Sequence, residues 1–429
     1  VFELREGRHD VRTCVELFAG GGGLAMAVHA AGFRPLLLNE IARRACETIR
    51  ANPLQPARDD ELPMPWPLIE GDVRDIDFAK EVRERVDLVA GGPPCQPFSL
   101  GGSHRGDEDE RDMFPQMFRA IRELRPKAVI CENVRGLLRP SFAPYFDYIK
   151  RGLTLPFLTR SAGKTWEEHD NELEKAIAND DADPTERYVV THMPVNAADY
   201  GVPQIRRRVI IVAFRADLGV DWEAFHPRQE YSYESLIHSM RADGPYWDRH
   251  DVTDEVRDRV ISELPKLDLA DEGVRRRLAL RPWRTLRDAI VGVDENEGSP
   301  LPPVEVGDLR PKRQVGDVTG HVGWPGARTY PGHTPNLLDR PAKTVKAGVH
   351  GVPGGESVMR VDDPGYDGTG YRYMTVRETA RVMTFPDHWE LKGPRGEQMR
   401  QLGNAVPVKL GATFARAVAA ALTEAERRR

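Results

Sequence analysis

The turn Phe18-Ala-Gly-Gly-Gly-Gly-Leu24 constrains the fold most, because it joins an apolar β-type run at residues 11–17 to a helical stretch at 24–31. Successive glycines let the backbone approach a neighbour or a ligand closely over a helix N-terminus. The alternation continues with an extended run at 35–38, a helical stretch at 41–51 and extended runs at 86–90 and 128–131, the last two separated by an amphipathic helix at 114–124. Strands alternating with helices predict an α/β fold with a doubly wound, mostly parallel sheet. Functional groups in such sheets gather at the carboxyl ends of strands, and the motifs of the first region lie there.

A chain of 429 residues is long enough for two domains, or for one domain with a sizeable insertion. Composition divides it into a first body over 1–216, completed by 400–429, an insertion or linker at 217–280, and a second, smaller irregular domain at 281–399. The polar, helix-leaning stretch 138–186 has no assignment. Near the end, Asn404 can cap a helix with Pro407 in its first turn, and Val406, Leu410, Phe414, Val418 and Leu422 form a buried stripe. Four cysteines without CxxC or Cys/His spacing indicate reduced thiols and no metal site. The absence of an apolar run of about 18 residues, and of an apolar core in Val1-Phe-Glu-Leu-Arg-Glu, predicts a soluble, cytoplasmic chain without a membrane partner. The net charge of −6 does not itself point to a polyanion, although the basic runs at 206–208, 275–277 and 312–313 leave nucleic acid open.

The glycine turn suits NAD, FAD or an adenosyl group, or simply tight packing. Glu40, past the second strand, is placed for ribose hydroxyls, and Asp72, in Glu70-Gly-Asp-Val-Arg74, for an adenine amine. Together they predict an adenosine site without choosing the cofactor. In Gly91-Gly-Pro-Pro-Cys-Gln-Pro-Phe-Ser99, three prolines fix φ and remove amide donors around Cys95, a candidate nucleophile on a stiff loop. Glu132, in Glu132-Asn-Val134, emerges near the same sheet edge, where partial desolvation would favour a protonated carboxyl able to donate to a base. In Gln204-Ile-Arg-Arg-Arg208, an extended backbone puts Gln204, Arg206 and Arg208 on one face.

In this order, ELFAGGGG, Glu40, GDV, GGPPCQPFS, ENV, DYGVPQIRRR, VRETARVMTFPD and QLGNAVPV resemble the cytosine-C5 DNA methyltransferases of prokaryotic restriction-modification type, over residues 11–216 and 371–422. The resemblance implies a Rossmann-like core that uses S-adenosylmethionine, releases S-adenosylhomocysteine and needs no metal. Cys95 would add to C6 of a cytosine flipped out of double-stranded DNA, with Glu132 at N3 and the exocyclic amine, Arg208 and Arg206 on the O2 side, and Gln204 supporting the loop. It also assigns a cofactor pocket of Phe18, Ala19, Gly20, Gly22, Gly23, Leu24, Glu40, Ile41, Asp72, Val73, Pro94, Leu100, Asn404 and Ala405. Ile41 departs from the aromatic residue that members often carry.

Residues 99–106 resemble the family's mobile loop, with Ser103, His104 and Arg105 as candidates to enter the space the base leaves. The region 215–371 takes the place of the target-recognition region. There Lys343, Thr344 and Lys346 are candidates for backbone contacts, and Arg313, Arg328, His321 and His333 for base edges. By family habit, a restriction endonuclease acts on the same site. A tRNA cytosine-C5 methyltransferase is the alternative within this chemistry, but that branch carries a Cys-Phe-Thr signature and no cysteine follows Cys131. A catalytically silent DNA-binding homologue is the other, against which Cys95, Glu132 and Arg208 are all present. An NAD dehydrogenase leaves Pro94-Cys95 and the arginine motif unexplained.

Overall fold

Thr13–Leu17 (β1) is buried at every position, which requires a layer of structure on each side of it. The computed structural model describes residues 11–54, 63–94, 112–292, 299–329, 334–347 and 357–429. In it β1 is the third strand of a seven-stranded sheet. The other strands are β2 (Arg34–Glu40), β3 (Leu68–Glu70), β4 (Leu88–Gly91), β5 (Ala128–Val134), β6 (Tyr188–Asn196) and β7 (Arg207–Arg215), in the order β3-β2-β1-β4-β5-β7-β6. The first five in that order are parallel, whereas β7 runs antiparallel between β5 and β6.

One face of the sheet is covered by α3 (Phe78–Glu81), α4 (Phe114–Leu124) and α5 (Ala143–Thr154). The other is covered by α1 (Gly23–His29) and the C-terminal α14 (Val408–Arg427), while α2 (Arg43–Ala51) follows β2. The unassigned stretch at 138–186 thus supplies a regular layer helix, α5, and then α6 (Trp166–Asn179), which packs on α5. A capping box of Thr165 and Glu168 starts α6, and Arg151 bonds Asp170 through two contacts of 2.7 and 2.6 Å.

The C-terminus differs from expectation in one respect. Asn404 is the last residue of α13 (Arg395–Asn404), and the cap position of α14 is Pro407. Extended backbone at Ala405 breaks the two helices apart, and Pro407, with no amide hydrogen to leave unpaired, restarts the turn. By length and composition this apolar C-terminal stretch passes for a membrane span. Its apolar residues Leu410, Phe414, Val418 and Leu422 are instead packed in the sheet's core.

After β7, a small lobe forms around Leu236, Met240 and Tyr246 from α7 (Tyr233–Ser239), α8 (Asp254–Ser262) and α9 (Glu272–Leu278). Its strands β8 (Tyr231–Ser232) and β9 (Arg281–Pro282) pair in parallel. Beyond α10 (Leu286–Val291) and α11 (Val306–Leu309) comes a three-stranded sheet of β10 (Asn336–Leu337), β11 (Val358–Arg360) and β12 (Tyr371–Tyr373), followed by α12 (Val376–Val382). A third core joins this irregular part to the first body, since Ala19, Ile49 and Trp66 pack with Leu286, Val345, Met359, Trp389 and Leu402.

The lobe meets the end of β6 at Asp199, whose Oδ1 accepts from Trp283 Nε1 at 3.0 Å and Gln229 Nε2 at 3.2 Å. Burial pushes the Asp199 carboxyl up to about 6, whereas an unfolded chain ionises it near about 4. Between these values the folded chain holds the extra proton, so this group's contribution is full at low pH and is lost as pH rises through 6. Asp199→Asn keeps an acceptor for Trp283 and cannot ionise. We expect it to raise the unfolding temperature at about pH 8 and to leave it unchanged near pH 4; an equal shift at both pH values in thermal scans would refute the assignment.

Candidate active site

At the end of β4 the packing is tight, since a Cβ on Gly91 would lie 3.0 Å from the Met117 sulfur and 3.1 Å from the Leu17 carbonyl. A Cβ on Gly92 would lie 3.9 Å from Glu132 Oε2, so the chain leaves the sheet across that carboxylate. Asn133 holds the proline loop there by donating Nδ2–H to the Pro93 carbonyl at 3.2 Å. Pro94 is exposed. Cys95, Leu100, Ser103, His104 and Arg105 lie outside the described residues.

Antiparallel pairing of Val134 with Arg208 makes Glu132 and Arg208 diagonal neighbours on one face of the β5 and β7 pair. Arg208 Nε lies 2.7 Å from Glu132 Oε1, and both side chains are about nine-tenths buried. The glutamate is therefore an ion-pair partner at the sheet edge rather than a lone carboxyl in an apolar pocket.

The arginine motif alternates as predicted, with Gln204 and Arg206 buried and Ile205 and Arg207 outward, but Arg206 does not join Arg208. Its guanidinium is 1 % exposed. It donates to the carbonyls of Val345 at 2.8 Å, Gly403 at 2.8 Å and Ala405 at 3.0 Å. The buried Gln204 accepts from the Val345 amide at 3.2 Å and donates to the Met383 sulfur at 3.0 Å. Strand β7 begins only at Arg207, so the residues before it are free to turn toward the 340–346 segment, where the Ile205 amide donates to the Ala342 carbonyl at 2.8 Å and the Ala342 amide to the Pro203 carbonyl at 2.9 Å. Burial, with Arg208 nearby, pulls the Arg206 pKa down. The expected contact of Arg206 with a base is thus replaced by a tie between three chain segments.

At the ends of β1 and β2, Glu40 accepts from the Gly20 amide through Oε2 and the Ala42 amide through Oε1, each at 2.7 Å. Phe18, Gly20 and Gly22 all have positive φ, which coils the turn over the end of β1. Of the four glycines, only Gly20 faces open space. A Cβ on Gly21 would meet Gln401 at 3.2 Å, one on Gly22 the Trp389 ring at 2.7 Å, and one on Gly23 the Val406 carbonyl at 2.5 Å. Ala19, Leu24, Val73 and Ala405 are buried, Asn404 is exposed, and Ile41 is 66 % exposed beside Glu40. Asn39 donates to the carbonyls of Ile69 and Gly71 and so sets the turn carrying Asp72. Arg74 engages both Asp72 oxygens, Oδ1 through Nε and Oδ2 through Nη2, which holds its pKa below the ordinary value.

One residue escaped the sequence reading. Glu16, 2 % exposed in β1, has an Oε1 with no partner, and burial raises its pKa. Its signal was an acid inside the otherwise apolar run of β1.

Among the DNA-facing candidates, Arg313 and Arg328 are exposed, and Lys346 is too. Thr344 donates its hydroxyl to the Ile205 carbonyl at 2.7 Å, and the Lys343 ammonium reaches the carbonyl and hydroxyl of Thr334. His321 is corrected: it is fully buried between Thr375 Oγ1 at 3.0 Å and the Pro302 carbonyl at 2.9 Å, a post within the fold that cannot touch a base. His333 lies outside the described residues. Among the described residues no group of three or more His, Cys, Asp or Glu is placed to hold a metal.

The family described as C-5 cytosine-specific DNA methylase matches residues 12–154 and 167–420. The chain is 30 % identical over 423 residues to Type II methyltransferase M.Eco47II of Escherichia coli, covering 98 % of this chain and 82 % of that one. It is 28 % identical to Type II methyltransferase M.NgoMIV of Neisseria gonorrhoeae, covering 96 % and 98 %. In fold it is similar to a mutant DNMT2 of Spodoptera frugiperda, with a TM-score of 0.51 at 15 % identity over 95 % of this chain and 99 % of that one. The chain belongs to the C-5 cytosine-specific DNA methylase family and is a DNA cytosine-C5 methyltransferase.

Proposed function

We propose that this enzyme methylates a cytosine flipped out of a specific double-stranded DNA sequence, with Cys95 as its nucleophile and S-adenosylmethionine as methyl donor. The observation that carries the reading is the buried Glu132 and Arg208 pair beside the loop that leads to Cys95. Cytosine C5 is too weak a nucleophile to take a methyl group unaided. Addition of the Cys95 thiolate to C6 breaks the C5–C6 double bond and makes C5 electron-rich. Glu132 would bond N3 and the exocyclic amine as that charge develops, while Arg208 turns to the O2 side. The ion pair holds both side chains beside the proline loop before the ring arrives, and Arg208 gives up its contact with Glu132 as it turns. C5 then takes the methyl group, its proton is lost to base, and Cys95 departs from C6 to restore the ring.

Extruding the base costs a few kcal/mol. The exposed Arg313, Arg328 and Lys346 are candidates to offset it through contacts with the flanking duplex.

The residues at the glycine turn fit the donor. Open space at Gly20, a carboxylate at Glu40 with lone pairs left over, and an exposed apolar Ile41 suit the methionine end, the ribose and the adenine in turn. S-adenosylmethionine, when bound, supplies an electrophilic sulfonium methyl. The named relatives are Type II methyltransferases, which supports a role in the cytoplasm protecting DNA from an endonuclease of the same specificity.

Cys95→Ala should abolish methyl transfer to DNA while S-adenosylhomocysteine binding stays within about threefold of wild type; residual turnover would sink the nucleophile. DNA carrying 5-fluorocytosine at the target should form a denaturation-resistant adduct with the wild type, since fluorine cannot leave as a proton. The two arginines should separate cleanly. Arg208→Lys is expected to lower kcat roughly a hundredfold with its unfolding midpoint unchanged. Arg206→Lys, which loses several buried bonds to carbonyls, should cost roughly 3 kcal/mol of stability in denaturant titrations. A stable Arg206→Lys variant with selective loss of kcat would return that residue to the base.

A further inference from the structure

The glycine turn is held from outside its own strand and helix. Trp389, 3 % exposed, donates Nε1–H to the Gly21 carbonyl at 3.1 Å, and its ring lies where a Gly22 Cβ would stand, 2.7 Å from Cζ2. The Gly20 amide is held by Glu40 at 2.7 Å. The strip from the Gly20 amide to the Gly21 carbonyl is thus pinned at both ends, with the open space at Gly20 between them.

Trp389 is itself held on the far side. Its carbonyl accepts from Arg377 Nη2 at 2.8 Å, and Arg377 also donates to the carbonyls of Pro386 at 3.0 Å and Thr319 at 2.9 Å. The Arg377 amide bonds the Gly320 carbonyl at 3.1 Å. Edge-on contacts with Trp66 at 6.3 Å and Phe385 at 6.5 Å pack the indole on two sides. Two side chains therefore connect residues 319–320 to the backbone of the glycine turn.

We infer that Trp389 is a positioning residue for S-adenosylmethionine, acting through the Gly21 carbonyl, and that the segment following the target-recognition region sets the shape of the cofactor turn. The inference rests on the reading of that turn as the cofactor site. The turn carries positive φ at Phe18, Gly20 and Gly22, a backbone that needs surrounding contacts to hold it, and Trp389 supplies contacts at Gly21 and Gly22.

The test is calorimetric titration of S-adenosylhomocysteine into the DNA-free enzyme. Trp389→Phe keeps an aromatic ring against Gly22 and removes the donor. Incorporating benzothienylalanine at position 389 removes only the N–H and preserves ring shape, which covers the case in which phenylalanine leaves too large a void. Both should weaken S-adenosylhomocysteine roughly three- to tenfold, the effect of one net hydrogen bond. The KM for S-adenosylmethionine should rise in parallel, with kcat at saturating cofactor within about twofold of wild type. Leu422→Ala, in the distant core of α14, is the control for general destabilisation and should leave the affinity unchanged. Wild-type affinity in both Trp389 variants, or an equal loss in Leu422→Ala, overturns the inference. A wild-type enzyme that binds no S-adenosylhomocysteine overturns the cofactor reading instead.

Discussion

A single buried guanidinium holds the working parts of this enzyme in register. Arg206 binds the carbonyls of Val345, Gly403 and Ala405, which come from the segment inside the irregular region, the end of α13 and the link to α14. An arginine does this better than a lysine because its planar fork offers several donors in fixed directions and stays charged when desolvated. A Cβ on Gly403 would be 2.3 Å from the Ala347 nitrogen, so the chain at 346–347 lies directly on the glycine. Without that close approach, the Val345 carbonyl could not reach the same guanidinium as the Gly403 carbonyl. Arg206 and Gly403 are thus one device, though almost two hundred residues apart.

The device explains why the two arginines of one motif have different environments. Two residues along an extended chain share a face, but the sheet covers only part of that face. Arg208 lies within β7 and meets Glu132 across the β5 register, whereas Arg206 lies before β7 begins and is roofed by the 340–346 segment. Periodicity announces the shared face. It cannot announce the roof, which arrives from residues more than a hundred positions later.

The same division separates what was legible in the chain from what was not. The parallel strands β1, β2, β4 and β5, the helices α1, α2 and α4, and the places of Glu40, Glu132 and Arg208 at strand ends follow from local apolar runs and turn chemistry. The helix at 114–124 appears with the expected bounds. His321 looked like a base reader because histidine in a basic, glycine-rich stretch usually faces solvent; its burial depends on Thr375 and Pro302, which no local pattern connects to it. Layer helix α5 was hidden because its polar positions mask a stripe of Tyr145, Phe146, Ile149 and Leu153. Asn133, which ties the proline loop to the sheet, was visible only as the middle letter of a motif.

The four glycines of the turn carry this logic to its smallest scale. As a string they are equivalent, and the string suggests one purpose, close approach to a ligand. In the folded chain Gly20 alone faces open space, while the next three make room for Gln401, Trp389 and the Val406 carbonyl in turn. Three of the four are therefore sites of intramolecular packing, each against a residue from the C-terminal part of the chain. That part is also what Arg206 ties to the 340–346 segment, so the glycine turn and the arginine motif share one scaffold. A chain built this way cannot alter the seat of α13 without moving both the opening at Gly20 and the carbonyls that hold Arg206.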